Sequence, residues 1–310
     1  MDEKYEIMNL LQVKQNLTKE LNNLVYGSIE IRENSSNRYI YVHYREDGIL
    51  LTKYVGEYSD ELHNLILNNT IKAKELKKEI KKIEKQLKKL NHIDEELSPE
   101  IKKNIDFAKR HLVDNIYNQA ILEGVATTFA DTESIIEGGK INNMSSEDVL
   151  KIVNLKHAWE FILNKNVILS DTNFPLLCEI NKFVEEGFYY NAGKLRSVPV
   201  SIGGTKWTPE LPIESIVKED IKNIFNMKIN DIDKAIKLLL YVMKKQIFID
   251  GNKRTSIIFA NHYLISKGQG IIAVPANLTN EYKKLLINYY EGKDSTEIKK
   301  FLKEKCFIQI

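Results

Sequence analysis

Residues 246–256, with the sequence QIFIDGNKRTS, place polar and charged side chains between two strongly apolar stretches of the chain. Gly251 has no Cβ, so the backbone there can approach a ligand closely. The helical pattern that follows begins near Asn252, and the first backbone N–H groups of a helix have no partner within it. With the cationic side chains of Lys253 and Arg254 beside them, these amides predict a binding site for an anion.

Asp250 lies next to this predicted anion site. A carboxylate beside bound phosphates is a common ligand for Mg²⁺, so this residue predicts a metal bridge to a nucleotide. The alternative is a plain connection between two helices, in which Asp250 and Asn252 cap the second helix. The pattern alone leaves both interpretations open.

The spacing F-x-D-G-N-K-R resembles the signature of the Fic/Doc (Fido) family, H-x-F-x-(D/E)-G-N-G/K-R-x-x-R. The resemblance implies a nucleotide-binding Fic domain that uses ATP and Mg²⁺ and transfers AMP to a Ser, Thr or Tyr hydroxyl of a target protein. It assigns Asp250 to the metal. The residues that it assigns to the nucleotide are Phe248, Gly251, Asn252, Lys253 and Arg254.

Two positions depart from the signature. Gln246 stands where the motif has His, which in the family takes the proton from the target hydroxyl, and an amide cannot take up a proton near neutral pH. Because general-base catalysis contributes about 10²–10⁴-fold, we expect weakened transfer, in which Gln246 orients the hydroxyl and Arg254 holds phosphates. Ile257 replaces the distal Arg of the signature.

These departures leave two alternative functions open. A non-catalytic nucleotide-binding pseudoenzyme, or adaptor, would use the same pocket as a sensor. A Doc-like protein kinase toxin would transfer a phosphate instead of AMP, and the GNK form of the loop is closer to that branch. His262 lies ten residues past Asn252, nearly three helical turns away, which is too far to replace the missing base.

Two further segments extend the resemblance. Residues 133–139, ESIIEGG, resemble the inhibitory-helix motif of the family. The resemblance makes Glu137 a candidate regulatory residue within reach of Arg254. The alternative is that Glu137 only ends a helix before a Gly–Gly stop. Residues 197–212 combine β-branched residues, a Gly–Gly turn and flanking prolines, which predicts a β-hairpin flap. The resemblance implies that the flap docks the target by β-augmentation. The residues assigned to docking are Ile202, Gly203, Gly204, Thr205 and Trp207.

The region before residue 96 has a different pattern, which predicts a small α+β unit. A helical segment at residues 3–26 precedes three short runs rich in β-branched and aromatic residues, which predict a three-stranded antiparallel meander. A long Lys-rich helix follows Ser59, with apolar residues at alternating spacings of four and three. This a/d seam indicates packing, either onto the first helix or onto a second copy in a homodimer.

The sequence as a whole predicts a mainly α protein, with an N-terminal region at residues 1–95 and a Fic-type helical bundle at residues 96–310. The 310 residues are 43% apolar and 28% charged, with a net charge of +2, which is typical of a soluble globular protein. No apolar run approaches the roughly 20 residues of a membrane span. Two cysteines far apart and an acidic N-terminus predict a cytoplasmic protein. Nucleic acid, contacted by Arg32, Arg38, Lys53 and the tyrosines of the meander, is the less favoured partner.

Overall fold

The computed structural model describes residues 3–34, 37–46, 49–90, 97–139, 141 and 144–310. The chain divides into two compact units, Met1–Ile93 and Asp94–Ile310. The domain boundary predicted between residues 95 and 96 falls in residues 91–96, which lie outside the described residues.

The first unit combines two helices with one small sheet. The strands pair in the order β1–β2–β3, so the predicted antiparallel meander is confirmed. The second helix starts where predicted, because Ser59 Oγ accepts a hydrogen bond from the backbone N–H of Leu62 (3.1 Å). The elements are α1 Glu3–Asn22, β1 Ser28–Asn34, β2 Asn37–Glu46, β3 Ile49–Glu57 and α2 Asp60–Lys89.

Two apolar clusters stabilise this unit. Ile40 and Val42, on one face of β2, pack against Ile66 of α2. Leu21 of α1 packs against Ala73 of α2. The apolar seam of the Lys-rich helix therefore packs against α1, which is one of the two alternatives that its spacing left open.

The regular secondary structure in the described part of the second unit is helical, apart from one pair of two-residue strands, which confirms the predicted mainly α fold. No helix in the described ranges is long and apolar enough to cross a lipid bilayer. The helices are α3 Pro99–Arg110, α4 Leu112–Leu122, α5 Phe129–Ile136, α6 Ser146–Ile162, α7 Lys165–Ile168, α8 Phe174–Val184, α9 Glu214–Asn226, α10 Asp231–Lys245, α11 Asn252–Ser266, α12 Thr279–Tyr290 and α13 Thr296–Phe301. The strands β4 Ile271–Ile272 and β5 Phe307–Ile308 pair antiparallel, and short 3₁₀ and π helices cover Ala276–Leu278 and Leu302–Cys306.

The central helix of this unit is α11, whose side chains from Arg254 to Ile265 are all buried. It packs on α6, α8 and α10. Its polar residue Asn261 is accommodated because Nδ2 donates to the Ile272 carbonyl (2.8 Å) and Oδ1 accepts from the Ile272 N–H (2.7 Å). A helix packed on all sides fixes the position of its own first turn, where the predicted site begins.

The β-hairpin predicted at residues 197–212 is not formed, and that prediction is wrong. The segment is irregular, with a turn in which the Thr205 N–H donates to the Ile202 carbonyl (3.4 Å) and no strand pairing between its described residues. Pro199 and Pro209 have no N–H to give to a ladder. Several carbonyls of the segment are instead bound by the side chain of Arg196.

His262 lies on α11, is fully buried, and stabilises the unit in its neutral form. Its Nδ1 is 2.8 Å from Thr172 Oγ1, and its Nε2 is 2.8 Å from the Val167 carbonyl, which requires Nε2 to carry the proton. Burial lowers the pKa of His262 to about 4. The unfolded chain therefore binds a proton that the folded chain rejects at a pH between about 4 and 6.5.

We predict that the free energy of unfolding falls as the pH drops from about 6.5 to about 4, by up to ~1.4 kcal/mol per pH unit for this residue. Urea unfolding across that range would measure it. The variant His262→Gln has no titrating group at this position. Its free energy of unfolding should therefore fall less steeply as the pH drops, by up to the ~1.4 kcal/mol per pH unit that His262 contributes. Parallel losses in the two proteins would contradict the prediction.

Candidate functional site

The loop between α10 and α11 is shaped by its own side chains. α10 ends at Gln246, which adopts a left-handed conformation (φ 48°), so that the chain reverses direction there. Asn252 closes the loop: its Oδ1 accepts from the Phe248 N–H (3.0 Å), and its Nδ2 donates to the Phe248 carbonyl (2.8 Å) and to Gln246 Oε1 (3.1 Å). The Gln246 amide also donates to the Met243 carbonyl (2.6 Å). The side chains of Gln246 and Asn252 are thus both used within the loop.

Phe248 was expected to contact the nucleotide, and the structure corrects this. Its ring is 1% exposed and lies in the apolar core. Burial of a Phe side chain stabilises by about 1.5–3 kcal/mol, so the residue anchors the loop instead of lining a pocket.

The first turn of α11 offers unpaired donors, as predicted. Gly251 precedes it with a positive φ of 72°, and a Cβ at this position would overlap Glu185 Oε1, so a side chain here would be strained. No side chain caps the helix, and among the described residues no acceptor pairs with the N–H groups of Asn252, Lys253 or Arg254. Such donors, at the positive end of the helix dipole, favour an anion.

Arg254 adds a buried cation to these amides. Its side chain is only 3% exposed. The guanidinium atoms Nε and Nη1 have no hydrogen-bond partner in the part of the chain that the structure describes. A buried charged donor without a partner is costly, so the site has an unsatisfied capacity for acceptor oxygens.

Two glutamates that the sequence interpretation missed face this cation. Glu185, the residue that ends α8, places Oε1 2.8 Å from Arg254 Nη2 and is 2% exposed. Glu123, which ends α4, lies 3.6 Å from Arg254 Nε and 3.3 Å from Lys253 Nζ. Asp250 is more distant, at 3.8 Å from Arg254 Nη2. Carboxylates of the protein therefore supply negative charge beside this cation.

The protonation of Glu185 is unusual. Burial raises its pKa to about 7, against the opposing attraction of Arg254, and the charges of Asp250 and Glu123 add to the rise. The backbone around it is fixed by Asn154, whose Nδ2 donates to the Val184 and Glu186 carbonyls (3.3 and 2.7 Å). Glu185 is therefore held in place while its charge changes near neutral pH.

The structure does not bring Glu137 to Arg254, which corrects that expectation. Glu137 ends α5 and is exposed, whereas the ion pairs of Arg254 go to Glu185, Glu123 and Asp250. The signal for the right residue was present in the sequence, because residues 121–124, ILEG, repeat the apolar–Glu–Gly pattern of residues 135–138, IIEG. Local similarity could not choose between the two copies.

Arg196 was also missed, and it ties the flap segment to the loop. Its side chain is 2% exposed. Nε donates to the Gln246 carbonyl (2.6 Å), Nη1 to the Val198 carbonyl (2.9 Å), and Nη2 to the Pro209 and Glu210 carbonyls (3.2 and 2.6 Å). One guanidinium therefore joins both ends of the flap segment to the left-handed residue that ends α10.

Asn181 performs a similar task on the other side of the loop. Its Nδ2 donates to the Asp250 carbonyl (3.1 Å) and to Thr255 Oγ1 (3.2 Å), and its Oδ1 accepts from the Gly193 N–H (2.9 Å). The backbone of Asp250 is fixed by this contact, while its carboxylate accepts from the Gly251 N–H (2.6 Å).

The flap residues assigned to docking lie beside α12. Thr205 Oγ1 donates to Glu291 Oε1 (3.2 Å), and the Trp207 ring stacks on Tyr290 with centroids 5.7 Å apart. Ile202 is half-buried, and the glycines of the turn, Gly203 and Gly204, are exposed.

Residues 171–264 match the sequence model of the Fic/DOC family. This segment has the sequence pattern of a Fic domain. The matched range runs from the turn before α8 to the end of α11 and contains Glu185, Arg196 and the loop. A comparison with curated proteins found no match.

Solved structures share the Fic fold. A Fic domain containing signaling protein from Bacteroides thetaiotaomicron is 17% identical, with a TM-score of 0.54 over 68% of this chain and 86% of that one. Fic-1, residues 134–508, from C. elegans is 16% identical, with a TM-score of 0.54 over 78% of this chain and 79% of that one. A Fic family protein from Desulfovibrio desulfuricans is 14% identical, with a TM-score of 0.52 over 67% and 72% of the two chains. The predicted resemblance to this family is confirmed for the fold.

Fic proteins use Mg²⁺, and the side chains of this Fic domain fit it in one way. No group of three His, Cys, Asp or Glu residues suited to a metal occurs among the described residues. The Asp250 carboxylate is 54% exposed beside the unpaired amides of α11. One accessible carboxylate suits Mg²⁺ that takes its other ligands from nucleotide phosphates and water.

We predict that Arg196→Ala loosens the flap segment. The substitution leaves four carbonyls without their charged donor, so the free energy of unfolding should fall by at least about 2 kcal/mol. Urea unfolding, with limited proteolysis to locate cleavage at residues 197–213, would measure both effects. Arg110→Ala, at an exposed arginine of α3, is the matched control and should stay within ~0.5 kcal/mol of the parent protein. Equal behaviour of the two variants would contradict the assignment.

Proposed function

We propose that the Fic domain binds ATP at the first turn of α11 and transfers AMP, slowly, to a Ser, Thr or Tyr hydroxyl of a target protein. The observation that carries this proposal is the buried Arg254 guanidinium beside the backbone amides of Asn252 and Lys253. Two guanidinium nitrogens and both amides have no hydrogen-bond partner among the residues that the structure describes. Donors of this kind bind polyphosphate oxygens. The likeness of the fold to Fic proteins supports the same assignment.

The polar residues of the loop each have a role in this proposal. The amides of Asn252 to Arg254 and the Arg254 side chain hold the phosphates, while Asp250 would hold Mg²⁺, which neutralises phosphate charge when bound. The target hydroxyl oxygen attacks the α-phosphorus, the bond to the pyrophosphate leaving group breaks, and the hydroxyl proton passes to water. Gln246 can orient that hydroxyl but cannot take its proton. Placement and charge stabilisation then remain as the sources of catalysis, which explains a slow reaction.

The two internal glutamates make ATP binding an exchange of anions. Glu185 and Glu123 compete with phosphate for Arg254, so the nucleotide has to displace or neutralise them. Glu123, rather than Glu137, is therefore the residue that we propose as inhibitory. Its ion pair with Lys253 blocks the second cation of the loop as well.

We predict that the affinity for ATP rises as the pH falls from about 8 to about 6. Glu185 loses its charge as the pH falls through its pKa of about 7, so less negative charge competes for Arg254. The variant Glu185→Gln should bind ATP roughly tenfold more tightly than the parent protein at about pH 8, equivalent to ~1.4 kcal/mol. It should also lack the part of the pH dependence that comes from the titration of Glu185. Isothermal titration calorimetry with ATP and Mg²⁺ would measure both.

The matched control for this prediction is Glu186→Gln, at the exposed neighbouring carboxylate. It should bind ATP as the parent protein does at each pH. Tighter binding by both variants would indicate a general charge effect, and an unchanged Glu185→Gln would remove Glu185 from the anion site. Absence of ATP binding in the parent protein across the pH range would overturn the proposed function itself.

We predict that Gln246→His raises the rate of AMP transfer by about 10²–10⁴-fold, because His can accept the hydroxyl proton. His and Asn both tolerate the left-handed conformation of this position, so Gln246→Asn is the matched control that cannot act as a base. Incubation with a protein lysate and ATP labelled at the α-phosphate would measure transfer. Equal rates in the three proteins would contradict a role for this position in proton transfer.

A parallel incubation with ATP labelled at the γ-phosphate distinguishes the alternatives. Transfer of that label, with none from α-labelled ATP, would indicate phosphate transfer of the Doc type. ATP binding without any transfer by the parent protein would indicate a non-catalytic nucleotide sensor. One observation favours the sensor: the Gln246 amide is already bonded to Met243 and Asn252 within the loop.

A further inference from the structure

A cavity of the second unit lies outside the loop between α10 and α11. Its volume is about 580 Å³, and it is bounded by α9, α10, the end of α12, the start of α13 and the last part of the flap segment. Residues of one face of α10, at positions 237, 240, 241 and 244, form its floor, since residues three and four apart share a helix face. None of residues 246–254 lines it.

The lining of this cavity is strongly positive. Lys237, Lys244, Lys245 and Lys299 converge on it, against the single lining carboxylate of Glu210. None of the four lysines forms an ion pair within 4.0 Å in the described part of the chain. Uncompensated charges of one sign in a concave site raise the local concentration of the opposite charge.

Two acidic residues near the lining offset part of this charge. Asp220 accepts a hydrogen bond from the Tyr241 hydroxyl (2.8 Å), which leaves its negative charge in place. A hydrogen bond from the Thr296 side chain lowers the pKa of Asp294, with a smaller contribution from the charge of Lys299. The four lysines, set against Glu210, Asp220 and Asp294, still leave an excess of positive charge.

Trp207 and Tyr289, two aromatic side chains of the cavity, each have a partner within the protein. Trp207 stacks on Tyr290, with an interplanar angle of 10°, and Lys244 Nζ lies 5.9 Å from the Trp207 centroid. The same Nζ is 4.6 Å from the Tyr289 centroid and donates to the Tyr289 carbonyl (2.9 Å). A nucleotide base would need a free aromatic face for stacking. Recognition by charge, without stacking, is what this lining supports.

The position of the cavity indicates what occupies it. Trp207 and Glu210 belong to the flap segment, and Lys244 and Lys245 directly precede Gln246 at the transfer site. A chain that lay in the cavity would extend along the flap segment toward that residue. Lysine ammonium groups are flexible point charges, which suit carboxylates of a polypeptide without demanding a fixed geometry.

We propose that this cavity binds an acidic segment of the target protein and so selects targets with Asp or Glu residues near the modified hydroxyl. The identification of the acidic segment as part of the target protein rests on the proposed function. The binding of an acidic segment to the cavity does not. The flap segment then acts as one wall of a charged groove instead of as a strand that pairs with the target.

The test is the binding of a fluorescein-labelled peptide rich in Asp and Glu, followed by anisotropy. The same peptide with Asn and Gln in their place is the neutral probe. We expect the parent protein to bind the acidic peptide and not the neutral one. Reversal of two lining charges, Lys237→Glu with Lys299→Glu, should weaken binding by about tenfold or more. Lys222→Glu, at an exposed lysine of α9 outside the lining, should change it less than about twofold.

A milder pair, Lys237→Ala with Lys299→Ala, provides the comparison should the charge reversals impair folding, and circular dichroism would monitor the fold of every variant. Loss of acidic-peptide binding in the alanine pair, with the fold intact, is the expected result. Equal binding of the neutral peptide, or undiminished binding by the reversed and alanine variants, would overturn the proposal. Absence of binding by the parent protein would do the same.

ATP calorimetry on the same preparations keeps the two proposals distinguishable. The reversed variant should bind ATP within about threefold of the parent protein, because its substitutions lie outside the loop. Nucleotide binding that disappears in the reversed variant would make the cavity the nucleotide site and overturn this inference. Peptide binding without ATP binding would overturn the proposed function and leave the acidic-segment site standing.

Discussion

A buried guanidinium at the start of a central helix is the constraint on which the second unit depends. Arg254 is 3% exposed and lies in the first turn of α11, where the helix dipole is already positive. Burying a cation at that end is unfavourable unless negative charge lies beside it. The fold supplies this charge through Glu185 and Glu123, which come from the ends of two other helices. The compensation is incomplete, because two guanidinium nitrogens and three backbone amides keep no acceptor among the described residues.

The raised pKa of Glu185 has the same origin. Burial disfavours its charged form more than Arg254 favours it, so the carboxylate is poised between two protonation states near neutral pH. A site held in this way tolerates exchange of one anion for another, since the phosphate of a ligand can supply the charge that Glu185 gives up. A fully satisfied ion pair would resist such exchange, because breaking it would leave a buried charge unpaired.

The surroundings of the loop hold its backbone in place. Asn252 and Asn181 bind backbone groups of the loop, and Arg196 binds the Gln246 carbonyl together with three carbonyls of the flap segment. Gln246 is therefore linked on one side to the anion site, through Asn252, and on the other to the wall of the basic cavity. α10 connects the same two places, since its last turn supplies lysines to the cavity and its end begins the loop.

The sequence by itself determined the local features: the meander, the helices α2, α10 and α11, and the loop with unpaired amides at its end. Periodicity, turn residues and capping act over a few residues, so they can be read from the chain directly. The Fic resemblance rested on the same short range.

Only the tertiary structure decided which side chains meet that loop. Glu185 and Glu123 contact Arg254 although they lie 69 and 131 positions earlier in the sequence. Arg196 contacts Gln246, which lies 50 positions later. Glu137, chosen for its local motif, forms no ion pair with Arg254 in the described part of the chain. The irregular flap has the same cause, because a buried guanidinium brought in by the fold satisfied the carbonyls that strand pairing would have used. Ion pairs and buried donors depend on how helices approach one another, which no local pattern records.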